Sequence, residues 1–357
     1  MMIQGGDGLL IDGIILTCST SIKTNRTYAA IYNILKGTKG IQTVLDIHLY
    51  HLENMYGIYP SLQKTEFDAH IKRLIHAKAI VSVDENNVKA TLKGEELLEQ
   101  YEQEPIYHYF KGLQFIGITE IFMERLLLTI QTFTNKHVRY NQFIPVIDKT
   151  EIHIWVKRYY HKHKMDITSV LSGLYEELFR LLSQLTDREA SLFVDRLTGH
   201  NHYGKSTYQL RMKYNISISD VCLILVAITQ RFLSTIIHNQ DDYPILNEFI
   251  VDLHRVNSMT KSATKTYHLY QKGLQADEIA SIRKLKINTI YDHLVEIALY
   301  DPAFYYQSYV DQTEVNVILK AIQQSKTFKL KDIKTLINRD ITYFQIRLVM
   351  AMMGKND

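Results

Sequence analysis

The sequence predicts a mainly α protein with an N-terminal winged helix, a central helical domain and a C-terminal helix-turn-helix, and three observations carry that expectation. Only five prolines and fifteen glycines occur in 357 residues, too few turn-formers for a protein built from many short strands. Apolar residues recur every three to four positions over long stretches, the period of a helix with one buried face. Two segments, one near each end, break into three short helical patterns separated by turn signals. The chain accordingly divides into 1–104 as a winged-helix-like domain, 105–253 as a helical scaffold, and 254–357 as a helix-turn-helix domain with a helical tail. With 46% hydrophobic and 22% charged residues it has the composition of an ordinary soluble globular chain.

In the first domain Ala29, Ile31, Tyr32, Ile34 and Leu35 share a helix that Gly37 ends, because glycine accepts the left-handed conformation of a helix stop. A second helix begins near Gln42 and carries Val44, Leu45, Ile47, His48 and Leu52. A third follows Ser61, with Phe67, Ile71, Leu74 and Ile75 on its apolar side. Extended stretches at 79–83 and 87–92 flank the polar turn Asp84-Glu85-Asn86, and TLKGEELLEQY reads as the return from a wing strand into a helix. Lys64, His70, Lys72 and Arg73 on the third helix, with Lys89 and Lys93 in the wing, suit a phosphate backbone. Glu66, Asp68, Asp84 and Glu85 dilute that charge, so docking onto a protein stands beside DNA contact as a reading of this domain.

The scaffold holds long amphipathic helices. Ile118, Ile121, Phe122, Leu126, Ile130 and Phe133 keep helical spacing, as do Leu171, Leu174, Tyr175, Leu178, Leu181, Leu182 and Leu185. Between them, WVKRYYHKHK at 155–164 mixes Lys157, Arg158 and two further lysines with aromatics. It reads either as a surface for phosphate contact and base stacking or as a helix whose inner stripe is Trp155, Tyr159 and His163. His161 and His163 point apart on a helix, which excludes a metal site built from that pair.

GHNHYGKS at 199–206 satisfies the phosphate-loop pattern through Gly199, Gly204, Lys205 and Ser206. Such a loop needs a buried strand before it, whereas 187–198 reads as an amphipathic helix with Ala190, Phe193, Val194 and Leu197 inward. A loop between helices with Ser206 as a helix cap is favoured, and nucleotide binding is the minor reading. No other catalytic motif stands in a suitable setting, so an enzyme, a cofactor and a bound metal are not expected.

The richest segment is KTYHLYQKGLQADEIASIRKLKINTIYDHLVEIALY, from Lys265 to Tyr300. A first helix at 264–271 stops at Gly273, a second spans 277–284 with Leu274, Ile279, Ala280, Ile282 and Leu285 as apolar positions, and Asn288 caps a third over 289–299. Ile290, Leu294, Ile297 and Ala298 face inward, which leaves Thr289, Tyr291, Asp292, His293 and Glu296 as a mixed outer face. From Arg255 to Lys286 seven Lys or Arg stand against two acids, about +5, while the whole chain carries +3. Lys272, Arg283, Lys284 and Lys286 are the expected phosphate contacts, with Asn288, Thr289, Tyr291 and His293 as the recognition-helix positions that face nucleic acid.

Cys18 and Cys222 lie in apolar runs and offer no disulfide framework, which suits a reducing compartment. The run at 8–18 is interrupted by Asp12 and lacks a preceding basic region, so it does not read as a signal peptide. The run at 221–228 is far shorter than the roughly 20 residues of a bilayer crossing and is expected to be a buried helix. A cytoplasmic, nucleoid-associated location follows.

Ser262-Ala263, Lys265-Thr266-Tyr267, Gly273, Glu278-Ile279-Ala280, Arg283, Leu285-Lys286, Thr289-Ile290, Asp292-His293 and Glu296-Ile297-Ala298 resemble the helix-turn-helix domain at the C-terminus of many RecQ-type helicases. Arg26-Thr27, Leu35-Lys36-Gly37, Lys39, Gln42-Thr43 and Asp46 resemble the opening of the YpbB family of Firmicutes-type bacteria. The resemblance covers most of the chain and is most specific over 262–298. It implies a stand-alone accessory of a RecQ-like helicase that supplies a DNA-binding or docking module in DNA repair or replication and contacts forked or single-stranded DNA largely without regard to sequence. Gln275 stands where a Ser-like cap is expected, and Ile287 replaces a polar residue, which makes the turn more apolar. A helix-turn-helix transcription regulator is the alternative.

Overall fold

The computed structural model describes residues 10–253 and 259–353; Arg255, counted above in the basic segment, and Gly8, where the N-terminal apolar run starts, lie outside the described residues. Helix dominates, as the scarcity of turn-formers requires. In chain order come α1 (Leu10–Ile22), α2 (Tyr28–Lys36), α3 (Ile41–Leu49), α4 (Lys64–His76), the strands β1 (Ile80–Ser82) and β2 (Val88–Ala90), then α5 (Leu92–Glu102) and α6 (Ile118–His137). They are followed by α7 (Thr150–His163), α8 (Ile167–Leu182), α9 (Asp187–Val194), α10 (Thr207–Tyr214), α11 (Ile218–His238) and α12 (Pro244–Glu248). The last six are α13 (Lys261–Tyr270), α14 (Ala276–Arg283), α15 (Ile287–Tyr300), α16 (Gln312–Ser325), α17 (Leu330–Thr335) and α18 (Tyr343–Met353).

Two compact units share the chain. One joins Met1–Ile14 to Leu97–Arg255, and the other joins Ile15–Glu96 to Val256–Asp357. What the sequence does not announce is that residues 15–96 and 256–357 build one body.

In the first unit, aromatic side chains of the turn before α6, of α6, α9 and α11 and of the segment after α12 fill the core: Phe115, Phe122, Phe133, Phe193, Phe232 and Phe249 are buried. Arg125 is buried with them, and its guanidinium donates to the Phe249 carbonyl at 2.7 Å and to both Asp252 carboxylate oxygens at 2.6 and 2.8 Å. α11 is long and apolar enough to cross a membrane by length and composition, yet Leu223, Ile228, Phe232 and Leu233 are core residues here. Its buried Gln230 accepts a hydrogen bond from the Lys111 amide at 2.7 Å, a polar tie that marks a core helix.

In the second unit, α2 to α4 and an antiparallel hairpin pairing Ile80 with Ala90 and Ser82 with Val88 give the winged-helix order. Gly37 closes α2 at φ 70°, as its position in the sequence demands. The Asp84 carboxylate accepts from the Asn87 side-chain amide at 2.7 Å and from the Asn86 and Asn87 backbone amides at 2.8 and 2.9 Å and so shapes the hairpin tip; those bonds, the Asn87 side chain first, hold it below the usual carboxylate range. Gly94 enters α5 against the backbone of residue 79, where any Cβ would stand 2.1 Å from the Ala79 oxygen. Val44 and Leu45 of α3 share one core with Leu294, Val295 and Ile297 of α15 and Leu348 and Val349 of α18. Ile75 and Val194, expected inside, are exposed at helix C-terminal ends, and Tyr175, expected on the apolar stripe of α8, is exposed midway along it.

Candidate nucleic-acid interface

α13, α14 and α15 form the trihelical unit that the 265–300 pattern predicts. Gly273 takes φ 84° after α13, and the Gln275 amide donates to the Glu278 carboxylate at 2.8 Å, so Glu278 supplies the capping that Gln275 was expected to lack. α14 ends at Lys284 in the left-handed conformation, φ 53°, which turns the chain into α15. α15 starts earlier than expected: Lys286 occupies the cap position, and Asn288, expected as the cap, lies inside the first turn with its side chain exposed.

The expected outer face of α15 is covered. Tyr291 stacks on Phe344 of α18 with ring centroids 4.2 Å apart and planes inclined by 16°. Asp292 is held by the Arg347 guanidinium at 2.5 Å. His293 and Glu296 are buried, and Glu296 accepts hydrogen bonds from the Thr260 amide and hydroxyl at the start of α13. Burial pushes the Glu296 carboxyl up, with the Thr260 bonds acting the other way. The amphipathic spacing of α15 identified one buried stripe correctly; α3 and α18 bury two more sides, which no pattern local to 287–300 reveals. Among the expected recognition positions Asn288 is exposed, Thr289 and Tyr291 are half-buried and His293 is buried, so a lone helix ready for the major groove is not what the chain presents.

Arg283 also changes role. Its guanidinium donates to the Ser262 carbonyl at 2.8 Å, to the Thr266 hydroxyl at 2.5 Å and to the Ser262 hydroxyl at 3.1 Å. It also lies 3.2 Å from His293 Nδ1, and Thr266 Oγ1 is 2.9 Å from the same nitrogen. Arginine only donates, so Nδ1 is the acceptor and the imidazole is neutral with its proton on Nε2. Arg283 thus ties α14 to α13 and α15 and does not reach outward as a phosphate contact. Burial, followed by the Arg283 charge, lowers the His293 pKa, with Asp292 opposing.

That depression fixes the sign of a pH response. A neutral folded imidazole stabilises the fold above the ordinary value of 6.5, and the contribution is lost as pH falls through the lower folded value. The melting temperature of the wild type is therefore expected to fall on acidification from pH 7 to 5 more steeply than that of His293→Gln. Parallel melting curves across this range would remove His293 as the cause.

Lys272, Lys284 and Lys286 are exposed around the turns of this unit. In the winged helix Lys72 and Lys89 are exposed as expected, whereas Lys64 pairs with Asp68 and lies 5.0 Å from the Tyr28 ring, and His70 is buried. Arg73 is half-buried. In the other unit Lys157 and Arg158 are exposed on α7, but the aromatics beside them are not a stacking platform. Trp155 lies parallel to Tyr159 at 5.2 Å, Tyr159 meets His163 at 4.5 Å and Phe249 at 5.3 Å, so these rings serve the core.

The phosphate-loop lookalike is a connection between helices. α9 precedes it, and Ser206 caps α10 by accepting from the Gln209 amide at 3.3 Å. Lys205 reaches Asp195 at 3.0 Å, and Lys213 shares that carboxylate at 2.5 Å, which lowers its pKa to about 2 despite the opposing effect of desolvation. Gly204 is required by packing, because a Cβ there would meet the Arg196 carbonyl oxygen at 2.3 Å. The adjoining groove of about 650 Å³ is lined by Gln131, Asn135, Tyr140, His200, Tyr203 and neighbours, without a lysine or arginine to meet phosphate.

Residues 262–350 match the model of a helix-turn-helix domain. The chain is 27% identical over 342 residues to protein YpbB of Bacillus subtilis (strain 168), and the alignment covers 95% of this chain and 96% of that protein. No solved structure matches the chain. The C-terminal domain points to DNA binding, within a chain similar to YpbB along nearly all its length.

Proposed function

We propose that this chain is a non-enzymatic accessory of a RecQ-like helicase that holds DNA by its backbone, largely independent of sequence, in DNA repair or replication in the cytoplasm. The observation that supports backbone contact is the pairing of a largely covered third helix with an exposed basic turn: His293 and Glu296 are buried and Tyr291 is stacked on Phe344, while Lys272, Lys284 and Lys286 are exposed. Side chains that cannot reach base edges carry no sequence code, whereas exposed ammonium groups displace counterions from any phosphate run. The helicase partner rests on the resemblance of 262–298 to the RecQ C-terminal domain. A transcription regulator requires a free reading helix, which α15 does not offer.

The test measures binding to forked, single-stranded and duplex DNA across salt concentrations, for the wild type and for a variant carrying Lys272→Glu, Lys284→Glu and Lys286→Glu. Steep salt dependence, little sequence preference and weak binding by the variant are expected. A preference of ~10³ or more for one duplex sequence would sink the reading in favour of a regulator. Undiminished DNA binding by the variant, with loss of co-elution with a purified RecQ-like helicase, would move the turn from DNA to protein contact.

A further inference from the structure

The six C-terminal helices repeat. α13, α14 and α15 are a long helix, a short helix and a long helix, and α16, α17 and α18 follow in the same order. One constant shift of 54 positions superposes the two sets in sequence: Ile279 falls on Ile333, Leu294 on Leu348 and Val295 on Val349, all buried in one core. Two surface positions keep the same shift, since Lys272 falls on Lys326, both exposed, and Ile282 on Leu336, at 57% and 46% exposure, whereas Lys284 and Lys286 fall on Asn338 and Asp340. Ile282, expected inside from spacing alone, thus has a counterpart outside in the second set. The stretch after residue 300 is therefore no tail.

We propose that the chain carries two tandem copies of one helix-turn-helix unit, joined through their third helices, and that cations of both copies form a single surface for DNA backbone. This rests on the DNA-binding reading given above and extends it to the second copy. The join is the Tyr291–Phe344 stack with the Asp292–Arg347 pair. Tyr291 and Asp292 are the fifth and sixth residues of α15, and Phe344 and Arg347 the second and fifth of α18, so each contact lies within about 8 Å of rise from its helix start. The turns that lead into the two helices consequently open at one end of the pair. Packing the third helices together removes both from groove reading and leaves what surrounds the turns: Lys272, Lys284 and Lys286 in the first copy, Lys326, Lys331 and Arg339 in the second, all exposed. From Lys326 to Asp340 five Lys or Arg stand against two Asp, so the second copy shares the charge sign of the first. A polyanion laid along that end meets both sets.

Six contacts predict a slope of log affinity against log salt of about −5 on duplex DNA. The full chain is titrated with a labelled duplex of mixed sequence between about 50 and 200 mM salt. Two neutralised variants are compared with it: one carries Lys272→Gln, Lys284→Gln and Lys286→Gln, the other Lys326→Gln, Lys331→Gln and Arg339→Gln. Each is expected to lose about half of the slope, and to keep the wild-type circular dichroism because only exposed side chains change; Lys331→Glu with Arg339→Glu, which leaves the left-handed position 326 untouched, repeats the loss. If the second set keeps the wild-type slope and affinity while the first set loses both, the second copy is structural only and the inference fails with the DNA-binding reading intact. If neither set differs from the wild type, that reading fails as well.

Discussion

Asp46→Ala is expected to destabilise the protein by about 3–5 kcal/mol, because it strands a guanidinium that the fold has taken out of water. The Asp46 carboxylate accepts from Arg26 Nε at 2.9 and 3.0 Å and from Gln42 Nε2 at 2.8 Å, and only 1% of the residue is exposed. Burial raises its pKa, with Arg26 and Gln42 acting the other way. The same guanidinium donates to the Phe328 carbonyl at 3.1 Å, between α16 and α17, and Tyr50 packs edge-on against the Phe328 ring at 5.6 Å. Asp46 therefore holds the winged helix and the second trihelical set in one body, and the sequence features Arg26, Gln42 and Asp46 that resemble the YpbB family acquire a physical role as this network. Urea denaturation followed by circular dichroism measures the loss. Arg26→Met with Asp46→Leu should lose less than either single change, since removing both charges also removes their desolvation. A single-variant loss below about 1 kcal/mol would show that the pair is not a strut.

Phe344→Ala is expected to cost about 3–5 kcal/mol, the range for truncating a buried aromatic that leaves a cavity. Its ring lies against Tyr291 at 4.2 Å and meets Tyr309 edge-on at 5.5 Å, so the loss should appear as faster hydrogen exchange in the α15 amides. The variant also separates two ideas about α18. If α18 is part of the core, stability drops and DNA binding gains no sequence preference. If α18 is a cover that leaves on binding, the variant keeps its stability and discriminates between duplexes by tenfold or more, an outcome that would restore α15 as a reading helix.

Much of the local structure was legible because it depends on local chemistry. The stop at Gly37, the turn before the second wing strand, the stop at Gly273 and the Ser206 cap each follow from one or two residues with narrow conformational preferences. Helix periodicity located α6, α8 and α15 and, except for the exposed Tyr175 of α8, the buried stripe of each, and the helix before GHNHYGKS was enough to set the phosphate-loop pattern aside.

The functional surface was legible only in part, since exposure is set by everything packed around a helix. Tyr291, Asp292, His293 and Glu296 looked outward because a single helix has an outside, and their mixed polarity concealed partners 36 to 55 positions away in the chain: Thr260 for Glu296, Arg347 for Asp292. Arg283 looked like a phosphate contact because charge near a turn is usually solvated, yet Ser262, Thr266 and His293 occupy its donors. What the sequence by itself determined is the mainly helical class, the element order, the basic turn and the helix-turn-helix domain, all properties of short-range spacing. Only the tertiary structure decided that residues 15–96 and 256–357 form one unit and that α15 packs against α3 and α18, because burial is a long-range property and no local pattern records which distant side chain takes the place of water.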